Sequence, residues 1–146
     1  MKPVILAFVL LLGVMLGYAW MNSRYSSIRT LYFSPQITLG VGKTGVVNLM
    51  VNDYLKPVSE FRADFAYDPA ILIIEKVEIN GEIFDKLTEN SVDQFAGKVT
   101  IEARSSQLVA NLKKGEQKLA IITMRGLKRG ETSFKGGVRE FGMTVK

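Results

Sequence analysis

Residues 58–81 read VSEFRADFAYDPAILIIEKVEING. Phe61, Ala63, Phe65 and Tyr67 alternate with Arg62, Asp64 and Ala66. Period-two alternation sends one set of side chains to each face of a sheet, so this run predicts a half-buried β-strand. Asp68-Pro69 then breaks it. Asp68 can accept backbone hydrogen bonds at a turn, and Pro69 presets φ for that turn. Leu72 and Ile74 return the chain to the core, and Asn80-Gly81 marks the next reversal. Tyr-Asp-Pro is thus a corner between strands, and Asp68 is an architectural residue rather than a catalytic one.

The same pattern continues on both sides. Val47, Leu49 and Val51 alternate with Asn48 and Asn52. Val99, Ile101 and Ala103 alternate with Thr100, Glu102 and Arg104, while Phe134 and the tail Phe141, Met143 and Val145 behave likewise. Residues 119–124 are apolar on both faces and belong in the middle of a sheet. Turn signals separate the runs: residues 40–45, Lys56-Pro57, Ala96-Gly97, Lys114-Gly115, Arg129-Gly130 and Gly136-Gly137. A short helical turn fits residues 82–87. Many short strands, regular turns and no long amphipathic helix predict an all-β sandwich.

Residues 40–45, GVGKTG, look like part of a phosphate-binding loop. That loop needs a further glycine five residues before Gly42, where Ile37 stands, and it runs from a strand into a helix. The residues after Thr44 are strand-like instead. The glycines are read as a reversal between strands with Lys43 exposed at its tip, and no nucleotide is expected.

The N-terminus differs in kind. Residues 3–21, PVILAFVLLLGVMLGYAWM, carry no charge. As a helix they would extend about 28 Å, close to the roughly 30 Å hydrocarbon core of a bilayer. Tyr18 and Trp20 stand at one end, where amphipathic rings favour the interface. Two readings are open: a retained transmembrane anchor, or a signal segment cleaved near Ala19. Residues 22–30, NSRYSSIRT, read as a polar linker. The expected organisation is therefore 1–21 anchor or signal, 22–30 linker and 31–146 β domain, placed outside a cell membrane or secreted after cleavage.

Composition removes several functions. The 146 residues include no cysteine and no histidine. Disulfides, thiolate metal sites, cysteine nucleophiles and Ser-His-Asp chemistry are excluded. The formal charge is +5, but the basic residues are scattered and do not interleave with aromatics, so nucleic acid is not an expected partner. The aspartates Asp53, Asp64, Asp68, Asp85 and Asp93 lack the spacing of a calcium-binding loop, and no metal or cofactor is expected. A glycosidase needs two carboxylates roughly 5–9.5 Å apart. Glu60 and Asp64 on one strand would stand about 13 Å apart at ~3.3 Å per residue, and no enzyme is expected.

From Leu31 to Lys146 the chain resembles the cohesin domains of bacterial cell-surface and cellulosome-type proteins. The resemblance begins at LYFSPQITLGVGKTGVVNLMVND, where the GVGKTG turn takes the place of the family's glycine turn. It is strongest at VSEFRADFAYDPAILIIEKVEING, with a strand ending in Tyr67-Asp68-Pro69 and the next beginning at Leu72. AGKVTIEARSS and KLAIITMRGLKRGETSF look like the later strands, with Gly130 in a late glycine turn. Lys43 departs from the family, in which an acidic residue is common at that place. The fold expected for residues 31–146 is thus a two-sheet antiparallel β-sandwich with jelly-roll topology.

The resemblance implies binding rather than catalysis. Cohesins dock a small helical dockerin module on one sheet face, and the calcium belongs to the dockerin. The leading expectation is a membrane-tethered, extracytoplasmic module that docks a dockerin-type protein. Arg62, Asp64, Glu102 and Arg104, with Thr100, are candidates for the partner-facing sheet surface. Tyr54, in the loop NDYLKP, is the best candidate for an exposed ring. The second expectation is a module that binds polysaccharide in a surface degradation or adhesion system.

Overall fold

The computed structural model describes residues 30–146. The anchor or signal segment, and the linker up to residue 29, lie outside the described residues. Ten strands follow in chain order: β1 (Leu31–Ser34), β2 (Thr38–Leu39), β3 (Thr44–Asp53), β4 (Glu60–Ala66), β5 (Leu72–Ile79), β6 (Lys86–Asp93), β7 (Lys98–Arg104), β8 (Gly115–Gly126), β9 (Gly130–Gly136) and β10 (Phe141–Val145). A single 3₁₀ turn, Val109–Asn111, interrupts the series.

The strands form two sheets, ordered β1-β3-β8-β5 and β2-β10-β9-β4-β7-β6. Only β6–β7 and β9–β10 are consecutive strands of one sheet; every other connection crosses to the opposite sheet, as in a jelly roll. All pairs are antiparallel except β2 with β10, which run parallel. β8 lies between β3 and β5 in the middle of its sheet, with Leu119, Ala120, Ile122 and Met124 buried and Ile121 and Thr123 half-buried.

Alternation sets the core. Val47, Leu49 and Val51 of β3 point inward, against Phe61, Ala63 and Phe65 of β4 and Val99, Ile101 and Ala103 of β7. Phe33, Phe65, Phe134 and Phe141 cluster, with Phe33 4.8 Å from Phe134 and 5.2 Å from Phe65 between ring centroids. Edge-to-face aromatic pairs of this kind add about 0.5–1.5 kcal/mol each beyond area burial.

The helical turn expected at residues 82–87 does not form. Asn80 closes an earlier turn, its carbonyl accepting from the Ile83 and Phe84 amides and its side-chain oxygen from the Glu82 amide. Phe84 then plunges into the core against Phe61, and the chain leaves extended as β6. The sequence pattern does not predict that strand. As an edge strand it buries no residue fully, so it lacks the alternation that marks the others.

The GVGKTG segment carries the chain from one sheet to the other. Lys43 N–H donates to the Gly40 carbonyl, and Gly42 has φ 74°. A Cβ at Gly45 would lie 2.3 Å from Leu39 Cδ2, so close packing accounts for that glycine. Thr44 begins β3 rather than a helix.

Candidate partner-binding site

The outer surface of β4, β7 and β6 collects four of the five candidate residues. Arg62 Nε stands 2.9 Å from Asp64 Oδ2, and its terminal nitrogens reach Asp64 Oδ1, Glu89 Oε2 and Glu102 Oε2, each at 3.2 Å. Arg104 joins from the neighbouring strand, 3.4 Å from Glu102 Oε1 and 3.5 Å from Glu60 Oε2. Thr100 Oγ1 donates to Asp64 Oδ1 at 2.8 Å. The register explains the gathering, because Arg62 pairs with Glu102 and Glu102 with Glu89 across three strands.

The Arg62 guanidinium holds the Asp64 carboxyl below the usual carboxylate range, and the Thr100 hydroxyl adds to this. Asp64 in turn raises Arg62 further. A carboxyl held ionised in this way is the opposite of a general acid, whose pKa must be raised. Among the described residues no group of three or more Asp or Glu side chains is placed to hold a metal ion.

Tyr54 lies apart from this network. It follows β3, is 73% exposed, and its ring stands 3.1 Å from where a Cβ on Gly115 would be, at the start of β8. Nearby, Tyr32 donates to Glu116, and that carboxylate pushes the Tyr32 phenol up to about 12.

A cleft of about 450 Å³ borders the charged face. β9 pairs with β4 only at Phe65 and Ala66, leaving a gap beside the first half of β4. Leu31, Val51, Val58 and Phe61 line it, with Arg62 and Arg104 at its rim.

At the far end of the same face stands a residue that the alternation does not single out. Phe95 is 99% exposed, in the turn between β6 and β7. Its position is tightly held. Asp93 Oδ1 accepts from the Phe95 and Ala96 amides at 3.0 and 2.9 Å. Gln94 beside it accepts from the Tyr67 hydroxyl at 2.6 Å, and its amide nitrogen donates to the Ile74 carbonyl. Tyr67 N–H donates to the Gly97 carbonyl at 2.8 Å. Burial pushes the Tyr67 phenol up, which keeps it a donor. The Tyr-Asp-Pro corner therefore braces the hairpin that presents Phe95. Asp68 has the expected architectural part, its carboxylate accepting from the Ala70 amide at 2.8 Å.

No family profile matches the chain, and no curated protein matches it in sequence. Solved structures do match. The seventh ScaB type I cohesin from Pseudobacteroides cellulosolvens superposes with a TM-score of 0.63 at 16% identity, over 81% of this chain and 92% of that one. A cohesin from a type I cohesin–dockerin complex of Clostridium thermocellum gives 0.63 at 10% identity, over 81% and 99%. The cohesin module of a family 33 glycoside hydrolase from Clostridium perfringens gives 0.59 at 13% identity, over 81% and 98%. The β-sandwich of this chain has the fold of the cohesin modules.

Proposed function

We propose that this chain is a cohesin-like binding module that docks a helical, dockerin-type protein on the outer face of β4, β7 and β6, with Phe95 as its anchor. The observation that carries this reading is Phe95 itself, a fully exposed ring on a hairpin fixed by hydrogen bonds at both flanks. Exposing such a ring to water is unfavourable, and aromatic side chains, phenylalanine included, are enriched at protein interfaces. The adjoining Arg62 network contributes an ordered polar surface whose side chains have little freedom left to lose on association. Structural neighbours of this sandwich include cohesins in complex with dockerins, which supports the class of partner. In this proposal the partner carries the calcium, residues 3–21 anchor the chain in a cell membrane, and the domain lies on the extracytoplasmic side.

The carbohydrate reading is weaker. A sugar platform needs neighbouring exposed rings, and Phe95 and Tyr54 stand at opposite ends of the sandwich.

Isothermal titration of the full chain in detergent micelles against calcium-loaded dockerin modules tests the proposal. The expected result is binding that chelation abolishes and that Phe95→Ala weakens by about 2 kcal/mol, roughly 30-fold in Kd. Binding that ignores both changes, or capture of a glycan in place of a protein, would overturn it.

A further inference from the structure

The chain enters the sandwich at Leu31, which pairs with Val51 near the end of β3. The loops at residues 54–59, 80–85 and 105–114 lie at this same end, because β3 finishes there and β4, β6 and β8 start there. Phe95 and the turn at residues 40–43 lie at the other.

The entry end carries apolar side chains that the fold does not use. Tyr54 and Leu55 are 73% and 82% exposed, on a turn held by Asp53, whose carboxylate accepts from the Leu55 and Lys56 amides. Leu108 is 73% exposed, and the 3₁₀ turn after it, with Val109, has no buried residue. Lys56, Lys113 and Lys114 surround them, exposed and in no ion pair among the described residues. Of the acidic groups at this end, Asp85 is engaged by the Ser106 hydroxyl and amide, Glu116 by Tyr32 and Glu60 by Arg104, while Glu82 is exposed and in no ion pair among the described residues.

We propose that this end of the sandwich rests on the bilayer, with Tyr54, Leu55, Leu108 and Val109 entering the headgroup region and the lysines meeting anionic lipid. Apolar tips flanked by lysine, with a tyrosine among them, match the chemistry of a membrane interface. Geometry selects lipid over a protein partner. The uncharged segment 3–21 is joined to this end by residues 22–30, and nine residues span at most about 32 Å fully extended. The inference rests on the membrane-anchored reading, since only an anchored segment keeps this end at the surface.

The chain has no cysteine, so Leu55→Cys, Leu108→Cys and Phe95→Cys can each carry one environment-sensitive fluorophore. The probe is the full chain in phosphatidylcholine vesicles containing phosphatidylglycerol. Nitroxide-bearing lipids should quench positions 55 and 108 several-fold more strongly than position 95. Equal quenching at all three positions overturns the inference. So does a blue shift at 55 and 108 without quenching by lipid, which would mean that protein, such as a second copy, covers them. Alkaline carbonate washing of the unlabelled chain separates the two levels. Release from the vesicles overturns the anchored reading and this inference together, whereas retention with unquenched probes at 55 and 108 overturns this inference alone.

Discussion

Gly97 shows how much one position can carry. Its φ is 62°, and a Cβ there would lie 2.2 Å from the Tyr67 carbonyl oxygen. Both the left-handed backbone and the close approach require glycine. Gly97→Ala should therefore cost about 2 kcal/mol or more, read as a lower midpoint in chemical denaturation. It should also loosen the Phe95 turn and weaken partner binding. A second prediction concerns Tyr32, whose phenol Glu116 pushes up to about 12. Because the folded value lies above the unfolded one, the neutral phenol's contribution is fully present below about pH 10 and is lost as pH rises through 12. Glu116→Gln should lower the Tyr32 midpoint, followed by NMR of the ring. At this scale the sequence is informative about Arg62, Asp64, Glu102 and Arg104, because period-two spacing alone puts them on an outer face. It is silent on Glu89, since the cross-strand register that brings it to Arg62 is a tertiary fact. Phe95 escapes for another reason. A phenylalanine is read as core by default, and only its company, Asp93 before it and Ala96-Gly97 after it, marks a turn.

Between the residue and the molecule, strands differ in how plainly they can be read. β3, β4, β7 and β10 each bury one face and expose the other, so their alternation survives in the sequence. β6 reads KLTENSVD and covers an edge, so no hydrophobic face needs specifying. The residues before it look helical because a turn does lie there, but Phe84 converts the exit into a descent to the core. Phe84 is the pin of this connection, almost fully buried with its ring centroid 5.0 Å from that of Phe61. Phe84→Ala should cost about 3–5 kcal/mol, measured as loss of unfolding free energy. Amide exchange of β6 should accelerate more than that of β3 in the same variant, because the edge strand loses its tether.

As a whole, the molecule is a two-ended object. One end receives the chain from residue 30 and presents lysines with unused apolar tips, while the other presents Phe95. The two proposed functions use different surfaces, an outer sheet face anchored at Phe95 and the loops of the entry end, so a dockerin held at Phe95 would stand away from the lipid. The sandwich itself can be read from turn spacing and alternation, and the cohesin likeness from the Tyr67-Asp68-Pro69 corner. The way the sheets close cannot, since the parallel pairing of β2 with β10 joins residues more than a hundred positions apart. That closure has a temporal side. β10 is an interior strand, flanked by β2 and β9, yet it is synthesised after both. Among the described residues β2 has no other strand partner, and Val41 N–H donates to the Lys146 carbonyl. On a translating ribosome β2 must therefore wait for β10 to emerge, and the six-stranded sheet closes only after every other strand of the domain has been made.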